Sequence, residues 1–299
     1  MFKLNWKKAG IAAGLSLSLV AAGCGSDEGS SEEGSSDSNG EASKEIELSY
    51  VEWDTEVAST NVIANVLEEQ GFDVTVTPLD NAVMWESVAT GETDGMVAAW
   101  LPGTHGKLFS QYKDQLVDLG VNLEGAKIGL VVPKYMDANS IEDLKGQADQ
   151  TITGIEPGAG VVAKAEAAVE KYENLSDWTV QTSSSGAMAT ALGEAIEKEE
   201  PIIITGWSPH WMFQKYDLKY LEDTKGVFGD AENIKTMARK GLEKDMPKAY
   251  KILDQFKWSS ADIESVMLAI QDGASPEEAA ATWVEENQDK VSEWTKGVK

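Results

Sequence analysis

Tryptophan occurs twice in the same local setting, Ala99-Trp100-Leu101-Pro102 and Gly206-Trp207-Ser208-Pro209. Each follows an apolar run that reads as a strand, over 95–100 and 201–205. Each is followed by a polar helix and an apolar return, over 116–119 and 218–221. One supersecondary plan used twice delivers an indole at the carboxyl end of a strand, where open α/β sheets place ligand sites. An indole face attracts a cation through its quadrupole. It suits above all a charge spread over methyl groups, which offers no N–H to an acceptor. A second chemistry lies in Gly158-Ala159-Gly160-Val161, between a strand over 151–155 and an Ala-rich helix over 160–172. Free amides and the positive end of a helix converge there, a setting for an anion, and glycine lets the backbone come close. The glycine pair is not a dinucleotide fingerprint, which needs a third glycine.

Enzyme chemistry finds little support. His105 and His210 have no metal-ligand spacing, and no metal or cofactor is expected. Ser183-Ser184-Ser185-Gly186 has no triad partner placed by sequence and reads as a loop leading into a helix. Acidic residues are so abundant that pairing two of them as acid and base carries no specificity. No catalytic residue is assigned. A formal net charge of -26 argues against binding nucleic acid and against a basic contact with anionic lipid.

The N-terminus reads as a secretory signal over 1–23. Lys3, Lys7 and Lys8 precede an apolar run that ends at Ala21-Ala22-Gly23-Cys24. Small residues before Cys24, the only cysteine, resemble a bacterial lipobox, with Ala21 where most lipoboxes have Leu. That resemblance implies a lipid on Cys24 and a cell-membrane, extracytoplasmic location. The rest of 24–44 is rich in Ser, Gly and acids and reads as a flexible tether. Beyond it, strands alternate with helices in two successive rounds, followed by helices over 246–256, 260–271 and 276–294. This predicts an α/β protein with two lobes, a clamshell with C-terminal helices. One lobe is expected from 45–127 with 235–299 and the other from 128–234. Candidate hinge crossings lie at 127–134 and 233–239.

Four motifs then converge: Tyr50-Val51-Glu52-Trp53-Asp54, Ala99-Trp100-Leu101-Pro102-Gly103-Thr104-His105, Gly154-Ile155-Glu156-Pro157-Gly158-Ala159-Gly160-Val161, and Gly206-Trp207-Ser208-Pro209-His210-Trp211-Met212-Phe213. Over about 46–299 the chain resembles the substrate-binding proteins of glycine betaine ABC importers. The resemblance implies a type II periplasmic-binding-protein fold, working as a monomer with a permease and its ATPase. It implies a cage of Trp53, Trp100 and Trp207 around a trimethylammonium group. It further implies that Gly160, Val161 and His105 hold the ligand carboxylate. Proline betaine, carnitine, choline and sulfonium analogues are alternative ligands. A surface enzyme acting on a quaternary amine and a sensor clamshell are rival readings. Trp85, Trp178, Trp211, Trp258, Trp283 and Trp294 are read as packing, and His210 as packing or a local hydrogen bond.

Overall fold

The computed structural model describes residues 44–298. The expected signal peptide, Cys24 and nearly all of the tether lie outside them. Among the described residues nine strands run in chain order: β1 (Glu45–Tyr50), β2 (Asp73–Pro78), β3 (Gly95–Leu101), β4 (Leu116–Pro133), β5 (Thr151–Thr153), β6 (Thr179–Gln181), β7 (Ile203–Ser208), β8 (Leu218–Tyr220) and β9 (Glu232–Arg239). The helices α1 (Asp54–Glu69), α2 (Asn81–Thr90) and α3 (Gly106–Tyr112) belong to the first round, and α4 (Gly160–Lys171), α5 (Ser185–Glu197) and α6 (Met212–Lys215) to the second. The tail adds α7 (Leu242–Asp245), α8 (Pro247–Gln255), α9 (Ser260–Gln271), α10 (Pro276–Glu286) and α11 (Gln288–Trp294).

The strands join in the order β2-β1-β3-β9-β4-β7-β5-β6, with β8 also paired to β4. β4 is the shared member. Leu116–Ala126 pairs antiparallel with β9, and Lys127–Val131 pairs antiparallel with β7. Two sheets therefore meet in one strand, each carrying its own helices, and the result is a two-lobed clamshell. All of β3 is buried, as expected for a strand covered on both faces. α1 ends in a Schellman turn: Gly71 has φ 87°, and Phe72 N–H donates to the Leu67 carbonyl. α9 and α10 open with capping boxes, Ser259/Asp262 and Ser275/Glu278.

Several expected elements differ in extent. The apolar segments at 116–119 and 128–132 belong to one strand rather than two, because bulges opposite β9 near Gly120 and Gly125 interrupt its alternation without ending its pairing. The tail helix expected over 276–294 is two helices. Asn287 breaks it with its own backbone at φ -121°, its side-chain amide donating to the Trp283 carbonyl. The segment 233–239 is a paired strand, β9, between β3 and β4. β1 stops at Tyr50, and Trp53, beyond it, is the N-cap position of α1. Trp207 lies within β7, one residue before its end.

Candidate functional site

One small pocket, with about 300 Å³ of empty space, lies where the lobes meet. Trp53, Trp100, His105, Gly160, Val161 and Trp207 all line it, together with Thr55, Thr104, Ile128, Ile155 and Ala159. Each arrives by a different route. Trp100 stands near the end of β3, paired with Ile234 of β9. Trp207 stands in β7 opposite Ile128 of β4. Trp53 precedes α1, and Gly160 opens α4. The three indoles expose 7 % (Trp53), 4 % (Trp100) and 4 % (Trp207) of their surface, so their cation-attracting faces sit in a largely dry site.

The indole N–H groups are treated unequally. Trp100 Nε1–H donates to Glu56 Oε1 at 2.8 Å, and Trp53 Nε1–H donates to Glu156 Oε2 at 2.9 Å. Trp207 Nε1 has no partner among the described residues. Trp207 is propped instead by the His210 ring, edge-on at 4.6 Å between centroids. Burial pushes the Glu56 carboxyl up to about 7, although the Thr55 and Trp100 hydrogen bonds pull it down.

The pocket also offers donors, and one of them, His105, stacks its ring on Trp53 at 5.9 Å between centroids. Ala159 is the N-cap of α4 and no side chain caps the helix, so the Gly160 and Val161 amides lie in a first turn without intrahelical acceptors. The His105 Nδ1 accepts from Trp100 N–H at 3.2 Å, which leaves the proton on Nε2. That Nε2 is buried without a partner among the described residues. Burial drives the imidazole down to about 4, against a smaller opposing effect of the Ala98 carbonyl. The ring is therefore a neutral donor at ordinary pH. Glu232 fixes the turn before it, accepting from the Gly103 and Thr104 amides at 2.9 and 3.0 Å. Trp85 is fully buried, as expected of packing, and its ring meets His105 edge-on at 5.9 Å.

Several contacts cross the cleft. Besides Trp53 and Glu156, Asp54 accepts from Ser185 Oγ at 2.8 Å and from Trp211 Nε1 at 2.7 Å. His210 Nε2 lies 3.3 Å from the same carboxylate. Burial raises the Asp54 carboxyl, but the His210, Trp211 and Ser185 contacts outweigh it and hold it at about 2. Asn81 Nδ2 donates to the Gly158 carbonyl at 3.2 Å. Glu56, Asp54, Glu156 and Glu232 were not singled out from sequence. The one available signal was position, since Asp54 and Glu56 follow Trp53 at the start of a helix.

A two-lobed α/β clamshell with a small aromatic pocket in its cleft is the architecture of a type II solute-binding protein. Residues 44–286 match the family described as the substrate-binding domain of the ABC-type glycine betaine transport system, and the chain belongs to that family. The family is one of transport-system binding domains, not of enzymes. Lactococcal OpuAC, solved in a closed-liganded conformation with glycine betaine, is 57% identical, with a TM-score of 0.82 over 84% of this chain and 99% of that one. The glycine betaine/L-proline-binding protein ProX of Borrelia burgdorferi is 33% identical, with a TM-score of 0.81 over 85% of this chain and 97% of that one. The glycine betaine/carnitine transport binding protein GbuC of Listeria monocytogenes is 50% identical over 158 residues. That match takes in 52% of this chain and 53% of GbuC, so the chain spans about half the length of this relative.

Proposed function

We propose that the protein captures glycine betaine, or a close betaine relative, and delivers it to an ABC permease with its ATPase for osmoprotection. The observation that carries this reading is one pocket lined by three indoles and also by His105, Gly160 and Val161. A trimethylammonium group among Trp53, Trp100 and Trp207 would gain about 0.5–2 kcal/mol from each face. The ligand carboxylate would accept from the two amides and from His105 Nε2. A choline ligand is the second reading, favoured by a choline-binding protein that is 28% identical with a TM-score of 0.80. The three donors in the same pocket argue for a carboxylate-bearing ligand instead.

The lobes proposed are 45–127 with 235–299 and 128–234, closing as the ligand enters. Lipidation at Cys24 would tether a monomer to the outer face of the cell membrane. The test is calorimetric titration of the purified protein with glycine betaine, proline betaine, carnitine and choline. Glycine betaine or another betaine should bind more tightly than choline. No binding of any quaternary ammonium overturns the proposal, and choline binding more tightly than every betaine replaces it with the second reading.

A further inference from the structure

We infer that the cage takes part of its preference for a cation from carboxylates behind its rings, chiefly from Glu56. This rests on the proposed quaternary-ammonium ligand and concerns what selects its charge. Glu56 is 1% exposed, and none of the ion pairs among the described residues includes it. Its oxygens accept from Trp100 Nε1 at 2.8 Å and from Thr55 Oγ1 at 2.6 Å, and both of those residues line the pocket.

A buried carboxylate without a cationic partner is costly unless something nearby offsets its charge. The structure places the indole cage directly beside this one, so a cation in the cage is the missing counter-charge. Two effects act in the same direction. The anion attracts the ammonium group through a medium of low dielectric. The charge-assisted bond at Nε1 also polarises the indole and pushes electron density onto its face. Glu156 repeats the arrangement behind Trp53, but it is half-exposed and more strongly screened. Trp207, with no partner at Nε1, contributes its face alone.

A purely structural role for Glu56 would be to hold the Trp100 ring in place. Glu56→Gln separates the two roles, because the amide oxygen still accepts from Nε1 while the charge is gone. The probes are glycine betaine and tert-butylacetate, its carbon isostere, in which a neutral tert-butyl group replaces trimethylammonium and the carboxylate is kept. In the variant, betaine affinity should fall about tenfold while that for tert-butylacetate holds or rises. Glu156→Gln should shift the same ratio less. An equal change for both ligands, or none, overturns the inference.

A second measurement needs no variant. In the wild type, the betaine-to-isostere affinity ratio should rise between about pH 5 and pH 8 as Glu56 ionises. Asp54, its charged neighbour on α1, is already ionised across that range. His105, whose ring stacks on Trp53, is held down at about 4 by burial and stays neutral over that range. A flat ratio overturns the inference. Failure of the wild type to bind any quaternary ammonium overturns the proposed function and this inference together, whereas tight betaine binding with an unmoved ratio overturns this inference alone.

Discussion

Trp53 reaches across the cleft to Glu156, its indole N–H donating to Oε2 at 2.9 Å while the same ring walls the pocket. The other oxygen of Glu156 accepts from the Ser185 amide at 3.0 Å, which locks the carboxylate onto the second lobe at the start of α5. In the proposed function, one side chain would therefore serve both as a ligand contact and as a bond between lobes. Binding and closing would then be coupled through it.

Asp54 is the neighbouring tie, and its loss should act on closure. Asp54→Asn keeps the shape and removes the charge that accepts from Ser185 and Trp211. We expect glycine betaine to leave the variant about tenfold faster, read by stopped-flow tryptophan fluorescence. The pH dependence has a definite sign. A carboxyl held at about 2 contributes stability that is fully present above its ordinary value of 3.8 and lost as pH falls through about 2. Release rates attributable to this tie should therefore be flat across neutral pH and rise only in strong acid.

Trp207→Ala removes one wall of the cage. Betaine affinity should fall about a hundredfold by calorimetry, since a desolvated cation–indole contact is worth about 2 kcal/mol or more. The far-UV circular dichroism spectrum should be retained, because β7 keeps its pairing with β4 and β5.

His105→Ala should separate the two ends of the ligand. Loss of the Nε2 donor weakens glycine betaine by about tenfold and leaves choline nearly unchanged. Because the ring is neutral above about pH 4, betaine affinity in the wild type should not require an imidazolium and should not drop as pH rises from about 6 to 8.

Gly160→Ala should oppose closure. A Cβ at Gly160 would stand 2.6 Å from the Thr104 carbonyl oxygen, which belongs to the turn leading into His105. The expected result is a large loss of betaine affinity with a melting temperature of the ligand-free protein close to wild type. Small-angle scattering should show the variant remaining extended at a betaine concentration that compacts the wild type.

The alternation of strands and helices was legible because apolar runs, glycine stops and capping residues are local signals. Ser275-Pro276 marks the start of α10 in sequence and in space alike. β4 was not legible as one strand, since its bulges at Gly120 and Gly125 hide continuity that only pairing with β9 reveals. The six pocket residues could be named because motif positions carry them. Their supports could not. Glu56 and Trp100 are 44 positions apart, Glu156 and Trp53 103 apart, and no periodicity joins them. A buried acid in a chain with 51 acidic residues has no distinguishing mark until folding shows which ones lose their water.

In the proposed closure, the approach of Thr104 to Gly160 would act as a mechanical stop. Gly160 brings no side chain of its own against the Thr104 methyl and carbonyl, so in the proposed closure the shut angle would be set by the protein and not by the bulk of its cargo. A larger or smaller betaine would change how long the jaws stay shut, not the outline they present. A docking partner could then recognise a loaded carrier by shape alone, without inspecting what it holds.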